Sequence, residues 1–121
     1  MAKRILIADD EVHIRRILEH GLIAAGYDVL SAQDGEEAIN IMEKGTVDLV
    51  ITDLMMPRMN GYELTTRLKQ DEKTKHIPVI VLTALGQDDE MQKAKESGAD
   101  NIVSKPFSPR KMAEMVGAML K

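Results

Sequence analysis

With 121 residues, 44% of them hydrophobic and 30% charged, the chain has the size and composition of one folded domain, spanning residues 1–121, with no room for a second. A net charge of −4 argues against a general nucleic-acid binder, and zero cysteines exclude disulfides, thiolate nucleophiles, iron–sulfur clusters and cysteine zinc sites. The longest apolar runs are four residues each, far from the roughly 20 needed to cross a bilayer.

Taken in chain order, the first strand is expected over Arg4–Ala8. A helix follows, with Ile14, Ile17, Leu18, Gly21, Leu22 and Ala25 at i, i+3, i+4, i+7 spacing and Gly26 as its stop. His13 and His20 on that helix would stand about 10.5 Å apart at ~1.5 Å rise per residue, too far to share a metal ion, and read as exposed residues. A second strand at Val29–Ala32 leads to a helix opened by Asp34 and Glu37 in a capping-box pattern, with Ala38, Ile41 and Met42 turned inward before Gly45. The third strand, Val47–Thr52, precedes a helix opened in the same way by Asn60 and Glu63. After a fourth strand, Ile77–Thr83, the helix over residues 87–97 offers only Met91 and Ala94 to a core, so its packing should be thin. The last strand, Ile102–Ser104, is followed by a helix with Ser108 as N-cap and Pro109 at its first position. Its apolar residues Met112, Met115, Val116, Met119 and Leu120 form a face broad enough to leave some for a partner.

Five strand–helix alternations with short connections predict an α/β fold: a doubly wound, five-stranded parallel sheet with five helices and right-handed crossovers. In such sheets ligands bind beyond the carboxyl ends of the strands. Strand one ends at Asp9-Asp10, strand three at Asp53, strand four at Thr83 and strand five at Lys105-Pro106. Carboxylates gathered there repel one another unless a cation neutralises them, and Mg²⁺ suits a site with few protein ligands and open positions for a phosphoryl group. Asp53 is then the nucleophile that accepts phosphoryl, Asp9 and Asp10 form the metal side, Lys105 supplies positive charge, and Thr83 donates its hydroxyl to a phosphoryl oxygen. Singly, each has a plainer role: Asp10 as a helix N-cap, Asp53 as a loop carboxylate, Thr83 as a strand residue, Lys105 as a surface lysine. Their placement at the ends of four strands favours the joint reading.

The stretches ILIADDE (5–11), DLVITDLMMP (48–57) with Asn60-Gly61, PVIVLTA (78–84), Gly98-Ala99-Asp100 and Lys105-Pro106-Phe107 together resemble the receiver domain of two-component response regulators, from Lys3 to about Leu120. The resemblance implies a flavodoxin-like, five-stranded fold with Mg²⁺ at the acid pair and phosphorylation of Asp53 by a sensor histidine kinase or phosphotransfer protein. It also implies a metal ligand in the Met55 backbone carbonyl, a cis bond before Pro106, and a switch that repositions Thr83. The domain would then catalyse its own phosphoryl transfer and dephosphorylation without being an enzyme with a separate substrate. Its kinase would dock near the first helix and the Lys105-Pro106-Phe107 loop, and its target at the fourth and fifth helices.

Three residues before the lysine, where the family usually has Tyr or Phe, stands Ile102, which lacks a ring to swing. Asn60 stands where Asp is frequent and still caps the third helix. Apolar Met55 and Leu85, each two residues past a site residue, would hinder attacking water and lengthen the phosphoryl lifetime.

A phosphohydrolase passing through an aspartyl phosphate is a rival reading, but Met55 cannot act as the general acid it needs near the nucleophile. A flavodoxin-like electron carrier is another, set against two aspartates that would repel a flavin phosphate. A degenerate receiver acting as a phosphorylation-independent interaction module, and a receiver excised from a longer transcriptional regulator, complete the alternatives. The N-terminus reaches Asp9-Asp10 too early for a signal peptide, which predicts a cytoplasmic protein. No membrane partner and no direct nucleic-acid contact are expected of this domain.

Overall fold

The computed structural model of the chain describes residues 2–84 and 88–120, without the side chains of residues 88 and 90. Its elements alternate as β1 (Arg4–Ala8), α1 (Val12–Ala24), β2 (Asp28–Ala32), α2 (Gly35–Lys44), β3 (Leu49–Asp53), α3 (Gly61–Gln70), β4 (Val79–Ala84), α4 (Asp88–Glu96), β5 (Asn101–Lys105) and α5 (Pro109–Met119). The five strands are parallel in the order β2-β1-β3-β4-β5, the expected doubly wound sheet. Among the described residues no helix is long and apolar enough to cross a membrane.

Side chains alternate across a strand, so each central strand serves two cores. Leu6, Ala8, Val50, Val79 and Val81 pack with Ala38 of α2, Leu64 and Leu68 of α3 and Ala94 of α4. On the other face Ile5, Ile7, Leu49, Ile51, Ile80 and Leu82 pack with Leu18 and Leu22 of α1 and Met112 and Val116 of α5. Each such aliphatic side chain, fully withdrawn from water, contributes roughly 1.5–3 kcal/mol, and this double burial explains why the strands read as continuous apolar runs.

Strand boundaries differ from expectation by one or two residues. β3 begins at Leu49, leaving Val47 buried but outside the ladder. β4 begins at Val79, because Pro78 has no N–H to give; its carbonyl still accepts the Val50 amide at 3.0 Å.

The helix ends follow local chemistry. Gly26 (φ 97°) follows the Ala25 C-cap of α1, in the left-handed conformation that ends many helices. Asn60 and Glu63 form the complete capping box on α3. Asp34 caps α2 through the Glu37 amide, while the Glu37 side chain returns no bond.

The inward stripe of α1 is narrower than its spacing suggested: Leu18 and Leu22 are buried, whereas Ile17 is 45% exposed and Ala25 lies open. His13 and His20 are exposed, as expected. The methionines of α5 divide, with Met112 buried and Met115 and Met119 half-buried against the core, so most of the broad apolar face is used within the domain. α4 packs thinly: Ala94 is its one buried apolar residue among those described, with Met91 half-buried beside it.

Candidate functional site

The carboxyl ends of β1, β3, β4 and β5 meet at one edge. Asp9 ends the buried run of β1 and is 0% exposed; its Oδ1 accepts the Glu11 amide at 2.9 Å as the chain turns into α1. Asp9 is anchored through its backbone as well, its amide donating to the Ala32 carbonyl at 3.1 Å and its carbonyl accepting Arg15 Nη1 at 2.7 Å. Asp10 projects outward and does not cap α1; Glu11 occupies the N-cap position without a side-chain cap bond. Asp53 is the last residue of β3, its side chain 8% exposed.

Carboxylate oxygens of Asp9, Asp10, Glu11 and Asp53 all lie within 4.8 Å of one another. Lys105, at the end of β5, reaches into this group: its Nζ stands 3.3 Å from Asp53 Oδ2, 3.5 Å from Asp9 Oδ2 and 3.5 Å from Glu11 Oε1. The expected cis bond joins Lys105 to Pro106.

Burial, and next the charge of Asp9, push the Asp53 carboxyl up to about 6 against the attraction of Lys105. Burial raises Asp9 too, with its hydrogen bond from the Glu11 amide pulling the other way. Burial pulls Lys105 down, but Asp53 and Asp9 outweigh it and hold the ammonium above its ordinary range.

Four carboxylates facing one ammonium is an unbalanced set. Asp9 Oδ2 is buried without a hydrogen bond, and Thr83 Oγ1, on β4, is buried without one as well. A buried polar atom without a partner costs about 1–3 kcal/mol, so both atoms fit a site that completes itself with a ligand. Oxygen donors of negative charge, some open to water, suit a hard divalent cation, and Mg²⁺ fits the donor set.

Asp9, Asp10, Asp53 and Lys105 are thus brought together as the strand ends implied. Thr83 lies on the same edge by register, next after Leu82, which pairs with Asp53, and it bonds to none of the four. Met55 is 62% exposed in the loop after β3. Leu85, the other apolar flanking residue, lies outside the described residues. Ile102 is half-buried against the cluster that contains Ala94 of α4.

Sequence reasoning gave Glu11 no role, although an acid directly after an acid pair at a strand end was a usable signal. Gly61 entered only as part of a matching stretch, with no role of its own. A Cβ there would come 2.1 Å from the Asp53 carbonyl oxygen, and the Gly61 amide donates to the Leu54 carbonyl at 2.8 Å. Only glycine lets α3 start against the backbone of Asp53.

Residues 5–117 match the family described as the response regulator receiver domain. The chain is 44% identical over 119 residues to the "Probable transcriptional regulator ycf27" of Cyanophora paradoxa, covering 98% of this chain and 48% of that protein. It is 41% identical over 121 residues to the phosphate regulon transcriptional regulatory protein PhoB of Pseudomonas aeruginosa, covering 100% of this chain and 53% of that protein. The chain therefore spans about half the length of the curated relatives it matches. The structure of the chemotaxis protein CheY4 of Vibrio cholerae superposes with a TM-score of 0.91 at 32% identity, covering 99% of this chain and 100% of that one. The match along nearly the whole chain, the 2-1-3-4-5 sheet and the acid cluster at its carboxyl edge agree, and the chain belongs to the response regulator receiver domain family.

Proposed function

We propose that Asp53 is the phosphoacceptor of this receiver domain and that Asp9, Asp10, Asp53 and the Met55 backbone carbonyl hold Mg²⁺. The observation that carries this reading is a buried Asp53 carboxylate 3.3 Å from the Lys105 ammonium, within a group of four acids whose mutual repulsion a bound cation would relieve. Mg²⁺ would supply positive charge to the phosphoryl oxygens.

A carboxylate oxygen of Asp53 attacks phosphorus of a phosphohistidine on a sensor histidine kinase or phosphotransfer protein; the P–O bond forms, the P–N bond breaks, and the imidazole leaves with the electron pair. Lys105 Nζ, already 3.3 Å from Asp53 Oδ2, stabilises the charge of the transferring group. Water later attacks the same phosphorus, releasing inorganic phosphate and restoring the carboxylate. The chain thereby catalyses both its own phosphorylation and its own dephosphorylation. Met55 stands beside this chemistry as an apolar obstacle to water.

The buried hydroxyl of Thr83 turns to a phosphoryl oxygen once Asp53 is modified, drawing the end of β4 with it. Thinly packed α4 follows at small cost, and Ile102 beneath it repacks without the swing of a ring. The α4 and α5 surface then changes affinity for a target protein, in the cytoplasm. Relatives about twice as long that are named transcriptional regulators favour a second reading of the output, in which the receiver controls a further domain of a longer regulator.

Intact-protein mass after incubation with a small-molecule phosphodonor, with and without Mg²⁺, tests the chemistry. A Mg²⁺-dependent gain of one phosphoryl group in the wild-type protein is expected. No gain by a folded protein that binds Mg²⁺ would favour the degenerate, phosphorylation-independent receiver instead.

A further inference from the structure

The loop from Leu54 to Asn60 joins β3 to α3, directly after Asp53. Its ends are tied: the Leu54 amide donates to the Leu82 carbonyl at 3.0 Å and the Gly61 amide to the Leu54 carbonyl at 2.8 Å. Between them, among the described residues, Met55, Met56, Pro57 and Arg58 make no backbone hydrogen bond outside the regular elements.

Side chains close the middle of the loop. Arg58 reaches to the start of α2, where its Nε donates to Asp34 Oδ2 at 2.9 Å and its Nη2 pairs with the same oxygen. Asp34 is 2% exposed, and its other oxygen caps α2 by accepting the Glu37 amide at 2.9 Å. That amide, burial notwithstanding, and then Arg58 hold the Asp34 carboxyl below its ordinary range.

Two further observations mark the contact as built. The Gly35 amide donates to the Met59 carbonyl at 3.1 Å, and a Cβ on residue 35 would come 2.7 Å from Met59, so the loop approaches α2 this closely only over a glycine. Arg58 also adopts φ 64°, a left-handed conformation that side chains other than glycine rarely take. Such strain persists where the surroundings over-determine it, and here the ion pair with Asp34 does so.

We propose that Arg58 is a positioning residue: its ion pair with Asp34 clamps the loop to the start of α2 and so holds the Met55 carbonyl ready for the metal. The proposal rests on the reading of Asp9, Asp10, Asp53 and the Met55 carbonyl as the Mg²⁺ ligands. Without the ion pair the loop would keep its ties at Leu54, Met59 and Gly61, but the segment 55–58 would have to be ordered by the ion itself, and that entropy would come out of metal affinity.

Two substitutions separate the clamp from general stability. Arg58→Gly removes the ion pair while relieving the strained φ, so the fold keeps its melting temperature. Asp34→Asn removes the charge yet keeps a good N-cap for α2.

Mg²⁺ alone is titrated into wild-type protein, each variant and the double variant, followed by amide chemical shifts, and hydrogen exchange of the backbone amides at positions 55, 56, 58 and 59 is measured without metal. The expected result is about 10-fold weaker Mg²⁺ binding in each single variant, no further loss in the double variant, and faster loop exchange. Mg²⁺ affinity in both single variants within about twofold of wild type, or losses that simply add in the double variant, would overturn the clamp alone. A wild-type protein that takes up no Mg²⁺ would overturn the metal reading, and the clamp with it.

Discussion

At the edge where the strands begin, Asp48 and Asp100 have their partners within the chain. Asp48 Oδ2 accepts the Arg4 amide at 2.8 Å, and Asp100 Oδ2 accepts both Lys69 Nζ and the Val79 amide at 2.8 Å. At the edge where the strands end, four carboxylates gather and three of them share Lys105 at 3.3–3.5 Å, and Asp9 Oδ2 and Thr83 Oγ1 are buried without a hydrogen bond. The same residue types thus serve two purposes. Acids satisfied by their own chain hold β1, β3, β4 and β5 in register; acids left unsatisfied mark the place where a ligand completes the structure.

The largest expected effect breaks the contrast at its centre. Asp53→Ala should abolish phosphoryl uptake, a loss of at least about 100-fold by phosphoprotein mass analysis, because the Asp53 carboxylate is the nucleophile and, at 3.3 Å, stands nearer Lys105 Nζ than buried Asp9 does at 3.5 Å. Uptake persisting in the variant would move the acceptor elsewhere.

The next effect is on stability, with opposite signs at the two edges. Asp53 has a folded-state pKa of about 6, above the 3.8 of the unfolded chain, so the native state binds more protons between those values and stability falls as pH rises through that window. Asp53→Asn should therefore stabilise the metal-free protein by about 1–3 kcal/mol above pH 6, with the gain vanishing toward pH 4. Asp100→Ala should instead destabilise by about 1–2 kcal/mol, since the Val79 amide loses its acceptor. Denaturant melts of both variants at pH 4 and pH 7.5 would show the crossing; equal signs at pH 7.5 would dissolve the distinction between the edges.

Mg²⁺ should sharpen it. At ten times its dissociation constant it should stabilise the wild-type protein by about 1.4 kcal/mol, and Asp10→Asn should lose most of that gain while the Asp100→Ala variant keeps it. Thermal melts with and without Mg²⁺ read this directly. The smallest effect concerns α4, held by Ala94 and half-buried Met91: its amides should exchange with solvent faster than those of α1 around Leu18 and Leu22. Equal protection would remove the reason for placing the switch there.

Much of this was legible in the residues alone. Strands covered on both faces must be apolar at every position, so the runs through Ile5–Ala8 and Val79–Leu82 announced a parallel sheet, and in such a sheet Asp9, Asp53 and Lys105 had to meet at one edge. What escaped depends on backbone paths between elements. Glu11 joins the acid group only because the chain turns there into α1, Gly61 is required only because α3 starts against Asp53, and Arg58 finds Asp34 across 24 positions of sequence. The exposure of Ile17 has a similar origin: periodicity marks an apolar stripe, whereas its width is set by how much of α1 the neighbouring α5 and the sheet cover.

The central claim, that the unsatisfied edge captures phosphoryl on Asp53, is tested most directly by trapping the product. Protein treated with a small-molecule phosphodonor and Mg²⁺ is reduced with borohydride, which converts an aspartyl phosphate to homoserine, and its peptides are sequenced by mass. The account predicts homoserine at position 53 and nowhere else. Unmodified Asp53 beside homoserine at Asp9 or Asp10, or phosphate retained on His13 or His20, would contradict it.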